Sequence, residues 1–566
     1  MTAPTWPDSP SAFAEATWAD LLPYYDDLAQ RPLDARSVEG WLRDWTTLED
    51  LVGEAAALAS VAYTCDTTDP AKERAHIRFS SEIGPQLAAQ RVRLADRLLD
   101  LGYERPNIAT GIRRFRNARE LFREENLPLT SELQRLNIRY QKITGTMTAD
   151  WDGEEKTVPQ LAPYLLDPDR AVRERAFRLR AQPYIAARDD LAALFDRQYA
   201  LRQRVAANAG LANYRDYAHR EKHRFDYTPD DCEEFHAAVE ETVVPFVAQR
   251  LERRRQQLGL DTIRPWDTGP DPLGRPPLRP FDDVSALIAR AATIFDHVDP
   301  TLGEYYRTMM DEGLLDLDSR RGKAPGGYCT RFAHRQRPFI FMNAVGVAGD
   351  VTTLLHEAGH AFHVFEADEL PYFFQRHPGS EMAEVASMSM ELLTAPYLSE
   401  AHGGYFGEAD ARRARIEHLD SIAAMLPHIA SVDAFQQWVY TSGEGHDAAA
   451  RDAAWLRIRR RFEPTLDWSG LDAERIARWY QQLHIFLYPF YYIEYGIAQI
   501  GALQVWRNSQ RDPRGALDAY RRALALGGTA PLPDLFAAAG AKLAFDAGTM
   551  GELVALIGEE IAKLEA

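Results

Sequence analysis

The sequence predicts a mainly α-helical protein with a small amount of β structure. Apolar residues recur at three- and four-residue spacing through most of the 566 residues, as one face of a helix requires. Strand signals are few. The chief interruption, Arg264 to Pro280, carries six prolines, each removing a backbone donor, and so reads as an irregular connection.

Trp41, Leu42, Trp45, Leu48 and Leu51 mark an early amphipathic helix, and Leu191, Leu194, Phe195 and Tyr199 a later one. Between them Asp152-Gly153 is a hairpin turn joining short strands at 146–151 and 154–158. A break falls near residues 200–225, before a long helical run that starts around Asp230. It divides the chain into an expected N-terminal helical domain, 1–205, and an expected catalytic domain, 206–566. A second strand pair is expected at Gly327–Phe332 and Pro338–Asn343.

Lys and Arg number 65 against 84 Asp and Glu, a formal net charge of 65 − 84 = −19. Nucleic acid binding by counterion release needs clustered cations, so no nucleic-acid partner is expected. No stretch of about 18 apolar residues offers a membrane span. Cys65, Cys232 and Cys329 are too scattered for a disulfide framework or a thiolate metal site. The N-terminus has neither a basic nor a continuous apolar leader region, so a cytoplasmic location is expected.

The chemistry concentrates in 351–365, VTTLLHEAGHAFHVF. Asp350 is the expected N-cap, and Leu354, Leu355, Ala358, Ala361, Phe362 and Phe365 give the segment apolar faces, so it reads as a helix. Residues four apart are neighbours on a helix, so His356 and His360 can share one metal ion. Glu357 projects beside that ion without ligating it. HExxH is the zinc metallopeptidase signature for this reason: two imidazoles bind zinc and a carboxylate stands next to the water that the ion activates.

A zinc site needs a third protein ligand. The HExxHxxGxxH pattern would require Gly at 363 and His at 366, where this chain has His363 and Glu366. A glutamate on a second helix is the alternative. After the turn at His377–Ser380, with Ser380 as expected cap, the chain offers Glu381, Glu384 and Glu391 on one helical face, and spacing alone does not choose among them. His363 reads as a helix-face residue or a support for the ligands. Glu391 reads either as a carboxylate that orients a ligating histidine or as a cap or ion-pair partner elsewhere.

HEAGH at 356–360 followed by Glu384, Ser387 and Glu391 resembles the thimet oligopeptidase and oligoendopeptidase F family of zinc metallopeptidases. RPWD at 264–267, KAPGGYC at 323–329, and His484 followed by PFYYIEY at 489–495 resemble its oligoendopeptidase F and Pz-peptidase branch, in that order. The resemblance implies that Glu384 is the third ligand to one zinc ion. It also implies an elongated, mostly helical fold split by a deep channel, with a small sheet beside the active-site helix. It further implies that His484, Tyr492 and Tyr495 line the site and bind substrate or oxyanion.

On this reading Glu357 is the general base and then the acid for the leaving amine, and the substrates are short oligopeptides. Tyr492 and Tyr495, three apart on an expected helix, present two phenol donors on one side. The hairpin at 327–343 offers a strand edge to which an extended peptide could add, with Gly326 and Gly327 permitting close backbone approach. The competing readings are a zinc carboxypeptidase or dipeptidase, and a metal-stabilised peptide-binding scaffold without turnover.

Overall fold

The structure, a computed structural model, describes residues 5–566; the first four residues of the N-terminal segment read above for a leader lie outside the described residues. The chain is mostly helical, with one two-stranded and one three-stranded sheet among the described residues. It forms two compact units, each assembled from three separated stretches. The first unit takes Met1–Phe122, Leu278–Arg415 and Ala498–Leu543; the second takes Arg123–Pro277, Ile416–Ile497 and Ala544–Ala566. The expected 205/206 division falls inside a helix, Arg188–Asn208, and is a different partition from this interleaved one.

Helix Val38–Cys65 supplies much of the first unit's core through Trp41, Leu42, Trp45, Leu48 and Leu51, the early stripe expected from sequence. The unit's sheet has the order β3-β5-β4, with β3 Leu315–Asp318, β4 Tyr328–Phe332 and β5 Arg337–Ala344. β4 and β5 are the expected antiparallel hairpin, paired from Tyr328 with Phe341 to Phe332 with Arg337. β3 runs parallel to β5 and is an addition to the expected pair. Its four residues, LDLD, are too short and too polar to carry a strand signal alone. The central strand β5 is buried from Pro338 through Met342 without alternation, because a strand covered on both faces has no solvent side.

Lys323 staples this sheet. Its ammonium, with no side-chain exposure, donates to the backbone carbonyls of Asp316, Asp318 and Met342 at 3.0, 2.8 and 2.6 Å and to the Asp316 carboxylate at 2.8 Å. A buried ammonium is tolerable only when its donors are satisfied in this way. Asn343 ties the following loop down by donating to the carbonyls of Ala324 and Gly326.

In the second unit the Asp152-Gly153 turn joins β1 Thr148–Trp151 to β2 Glu154–Thr157. Both turn residues have positive φ, 57° and 84°, as a tight two-residue hairpin requires. The RPWD segment forms one short 3-10 turn, Pro265–Asp267, in an otherwise irregular Pro-rich connection. Asp267, fully buried, accepts from Arg170, from Arg173 and from the backbone N–H of Arg264. Burial raises its pKa, but these donors outweigh burial and leave it below the ordinary value. The motif thus has a structural job in this chain.

Candidate metal centre and its companion residues

HEAGH lies on the motif helix, Ala348–Glu366, and Glu384 on the glutamate helix, Ser380–Thr394. Both expected caps are corrected by the structure. The N-cap of the motif helix is Val347, and Asp350 works from the third helical position, its Oδ2 accepting from the N–H groups of Val345, Gly346 and Val347 at 2.8, 2.8 and 3.0 Å. Three leading donors are thereby satisfied by one carboxylate. Ser380 is the first helical residue, after an N-cap at Gly379, and makes no capping bond.

The two helices approach closely at Gly359. A Cβ there would stand 2.6 Å from the Ala386 carbonyl oxygen and from the Ser387 Cα, inside any permissible contact. The glycine of HEAGH therefore sets the distance at which Glu384 meets the histidines. Periodicity does not register this, because a missing side chain leaves no apolar signal.

His356, His360 and Glu384 converge: one ligand atom from each lies within 4.8 Å of the others. Glu384 Oε2 is 3.4 Å from His356 Nε2 and 3.7 Å from His360 Nε2. A tetrahedral zinc ion with bonds of about 2.0–2.1 Å holds neighbouring ligand atoms about 3.4 Å apart, so the spacing of this set fits such an ion. Ser387 Oγ donates to Glu384 Oε2 at 3.1 Å and holds that carboxylate.

Electrostatics agree with a cation-binding set. Burial opposes charge on His356, yet the hydrogen bonds to Glu384 and Glu391 outweigh it and raise its pKa to about 10. The two carboxylates thus favour positive charge at this point. Burial lowers His360 to about 4, leaving a neutral imidazole of the kind a metal needs. Glu357 is 8% exposed, and burial, opposed by His356 and by a backbone hydrogen bond from Cys329 on β4, raises its pKa to about 7.

Of the two readings of Glu391 the structure shows the pairing with His356, its Oε1 lying 2.7 Å from His356 Nδ1. A carboxylate there fixes a proton on Nδ1 and leaves Nε2 on the side of the ring that faces Glu384. If the triad holds an ion, Glu391→Gln should weaken metal affinity by about 10–100-fold with the fold intact, which competition against a chromophoric chelator would measure. Unchanged affinity would contradict this role. Glu381 is buried nearby and is not a member of the converging set. His363 is buried on the motif helix; its pKa is pushed down to about 3, chiefly by burial, and its Nε2 has no hydrogen-bond partner.

His484, Tyr492 and Tyr495 come together within the second unit. Helix Tyr492–Ser509 begins at Tyr492, and the ring centroids of Tyr492 and Tyr495 are 5.5 Å apart. His484 lies 4.9 Å from the Tyr492 ring and 6.0 Å from that of Tyr495. Phe490, just before this helix, has φ of 62°, a left-handed conformation that costs a bulky residue about 1–2 kcal/mol. It is pinned by Gln436, which accepts from its N–H at 2.8 Å, and by Arg224, which donates to its carbonyl and to Glu494.

With this geometry in view, residues 164–553 match peptidase family M3. The chain belongs to that family. The M3 chain is similar to the oligoendopeptidase F homolog of Borreliella burgdorferi, 23% identical over 44% of this chain and 41% of the relative. It is also similar to the chromosomal oligoendopeptidase F of Lactococcus lactis subsp. cremoris, 26% identical over 53% of this chain and 49% of the relative. The matched stretches thus span less than half of either relative's length. Among solved structures, Pz peptidase A with an inhibitor has a TM-score of 0.87 and 26% identity, covering 99% of this M3 chain and 98% of that one. Members of family M3 are metal-dependent, and this one carries the His-His-Glu set. No helix among its described residues is long and apolar enough to cross a membrane.

Proposed function

We propose that the protein is a zinc-dependent endopeptidase that cuts internal bonds of short oligopeptides, with His356, His360 and Glu384 as ligands and Glu357 as general base. The observation that carries this reading is the convergence of two neighbouring imidazoles and a carboxylate beside a buried, unligating glutamate. Zinc, when bound, supplies a Lewis acid that polarises the scissile carbonyl and acidifies water.

The chain's own residues do the rest. Glu357 takes the proton of the attacking water and hands it to the leaving amine. Its burial favours that exchange, because a carboxyl whose charged form is disfavoured accepts a proton near neutral pH. Glu391 and Ser387 hold His356 and Glu384 in their orientations. Tyr492, Tyr495 and His484 donate hydrogen bonds to the oxyanion as it develops, each such donor being worth about 3–4 kcal/mol in comparable sites. β4, the edge strand of its sheet, receives the extended peptide through main-chain hydrogen bonds. A cytoplasmic setting belongs to the same proposal, Cys65, Cys232 and Cys329 being too scattered along the sequence for a disulfide framework.

The test is digestion of an end-blocked peptide library, read by mass spectrometry, before and after chelation and zinc reconstitution. Internal cuts that vanish on chelation and return with zinc are expected. Cleavage only of unblocked ends would establish an exopeptidase, and metal binding without cleavage a scaffold.

A further inference from the structure

Four side chains of the second unit, His484 among them, are joined by a line of hydrogen bonds. Arg459 Nη1 is 3.0 Å from His428 Nδ1, His428 Nε2 is 3.2 Å from Gln482 Oε1, and Gln482 Nε2 is 3.0 Å from His484 Nδ1. Taken singly, neither the imidazole protons nor the amide orientation is determined. The far end determines them all. A guanidinium has only donors, so His428 Nδ1 must accept. Arg459 is fully buried and ion-paired with Glu463, which anchors that end.

Burial, reinforced by the Arg459 charge, depresses the His428 pKa far below its usual value, so the ring is neutral. Its single proton therefore sits on Nε2 and is donated to Gln482. The Gln482 amide must then present its oxygen to His428 and its nitrogen to His484; the reversed amide would set donor against donor in a half-buried place. One proton of that amide meets His484 Nδ1.

We propose that Arg459, His428 and Gln482 are positioning residues that fix His484 as its Nε2–H tautomer, so that Nε2 acts as a donor. This rests on the peptidase reading for its purpose, though not for its hydrogen-bond order. The unconditional donor at one end imposes a direction on the whole line, and His484, a group assigned to the oxyanion, is preset by one amide. Neither His428 nor Gln482 belongs to a sequence motif, and neither touches the reacting atoms.

The test uses zinc-loaded protein labelled with ¹⁵N in histidine, with His484 assigned by its loss in His484→Gln, and long-range ¹H–¹⁵N correlation to read each ring. Wild type should show His484 protonated at Nε2 alone near neutral pH. In Gln482→Glu the carboxylate accepts where the amide donated, so His484 should become protonated at Nδ1. With the Nε2–H donor withdrawn, kcat should fall by about 10²-fold while KM changes little. A wild-type His484 protonated at Nδ1 would overturn the proposal, as would a Gln482→Glu spectrum that matches wild type. Loss of kcat without any change of tautomer would also overturn it, since a merely structural role predicts that pattern. The wild-type spectrum decides the hydrogen-bond order even if Gln482→Glu fails to fold. It does so whether or not peptide is cut, so failure here is distinct from failure of the peptidase reading.

Discussion

Glu357→Gln is expected to lose turnover by about 10²–10⁴-fold while binding one zinc ion as tightly as wild type. The amide is nearly the same size and keeps a polar head against the Cys329 backbone, but it cannot take a proton from water. Stability should not suffer. Glu357 is buried and burial disfavours its charged form, so a neutral isostere removes a cost rather than a support. Metal content by inductively coupled plasma mass spectrometry and single-turnover cleavage of a fluorogenic peptide separate the two effects. A variant that cleaves at the wild-type rate would remove Glu357 from the mechanism. One that loses zinc together with activity would recast it as a ligand or a support for one.

The second large effect is expected at Gly359→Ala. Alanine is favoured over glycine in a helix interior by about 1 kcal/mol, so propensity alone predicts a stabilised protein. Opposing that, the new methyl would sit 2.6 Å from two backbone atoms of the glutamate helix, and backbone does not yield as a flexible side chain can. Overpacking of this kind costs about 1–3 kcal/mol, which outweighs the propensity gain at all but its lower end. Relief requires the helices to part, and parting them draws Glu384 away from His356 and His360. Zinc affinity should therefore fall along with denaturant stability, by about 10-fold or more if displacement of a ligand matters as much as loss of its support. Wild-type affinity in Gly359→Ala would mean that the helices can slide without disturbing the triad.

Much of the site was legible because its signal is local. His356, Glu357 and His360 are fixed to one another by helical pitch, and the pattern of apolar neighbours identified that helix. The β4–β5 hairpin and the Asp152-Gly153 turn were legible for the same reason, since turn chemistry and alternation act over a few residues. Asp350 shows where local reasoning stops. Its capping function was readable, but its position was not, because the loop before the helix folds back so that one carboxylate collects three N–H groups. The Arg459–His428–Gln482 line was invisible beforehand, its members lying on three separated stretches of chain.

By itself, then, the sequence determined the helical class of this protein, the pair of imidazoles and the carboxylate beside them, since each depends only on spacing along one element. Spacing left three glutamates open and the family resemblance implied Glu384; the tertiary structure brings that one to the imidazoles, sets Glu391 against the opposite nitrogen of His356, and makes Gly359 control the gap. Those choices depend on how two helices pack. Packing is fixed by the shape of both partners at once, and neither helix carries that shape in its own residues.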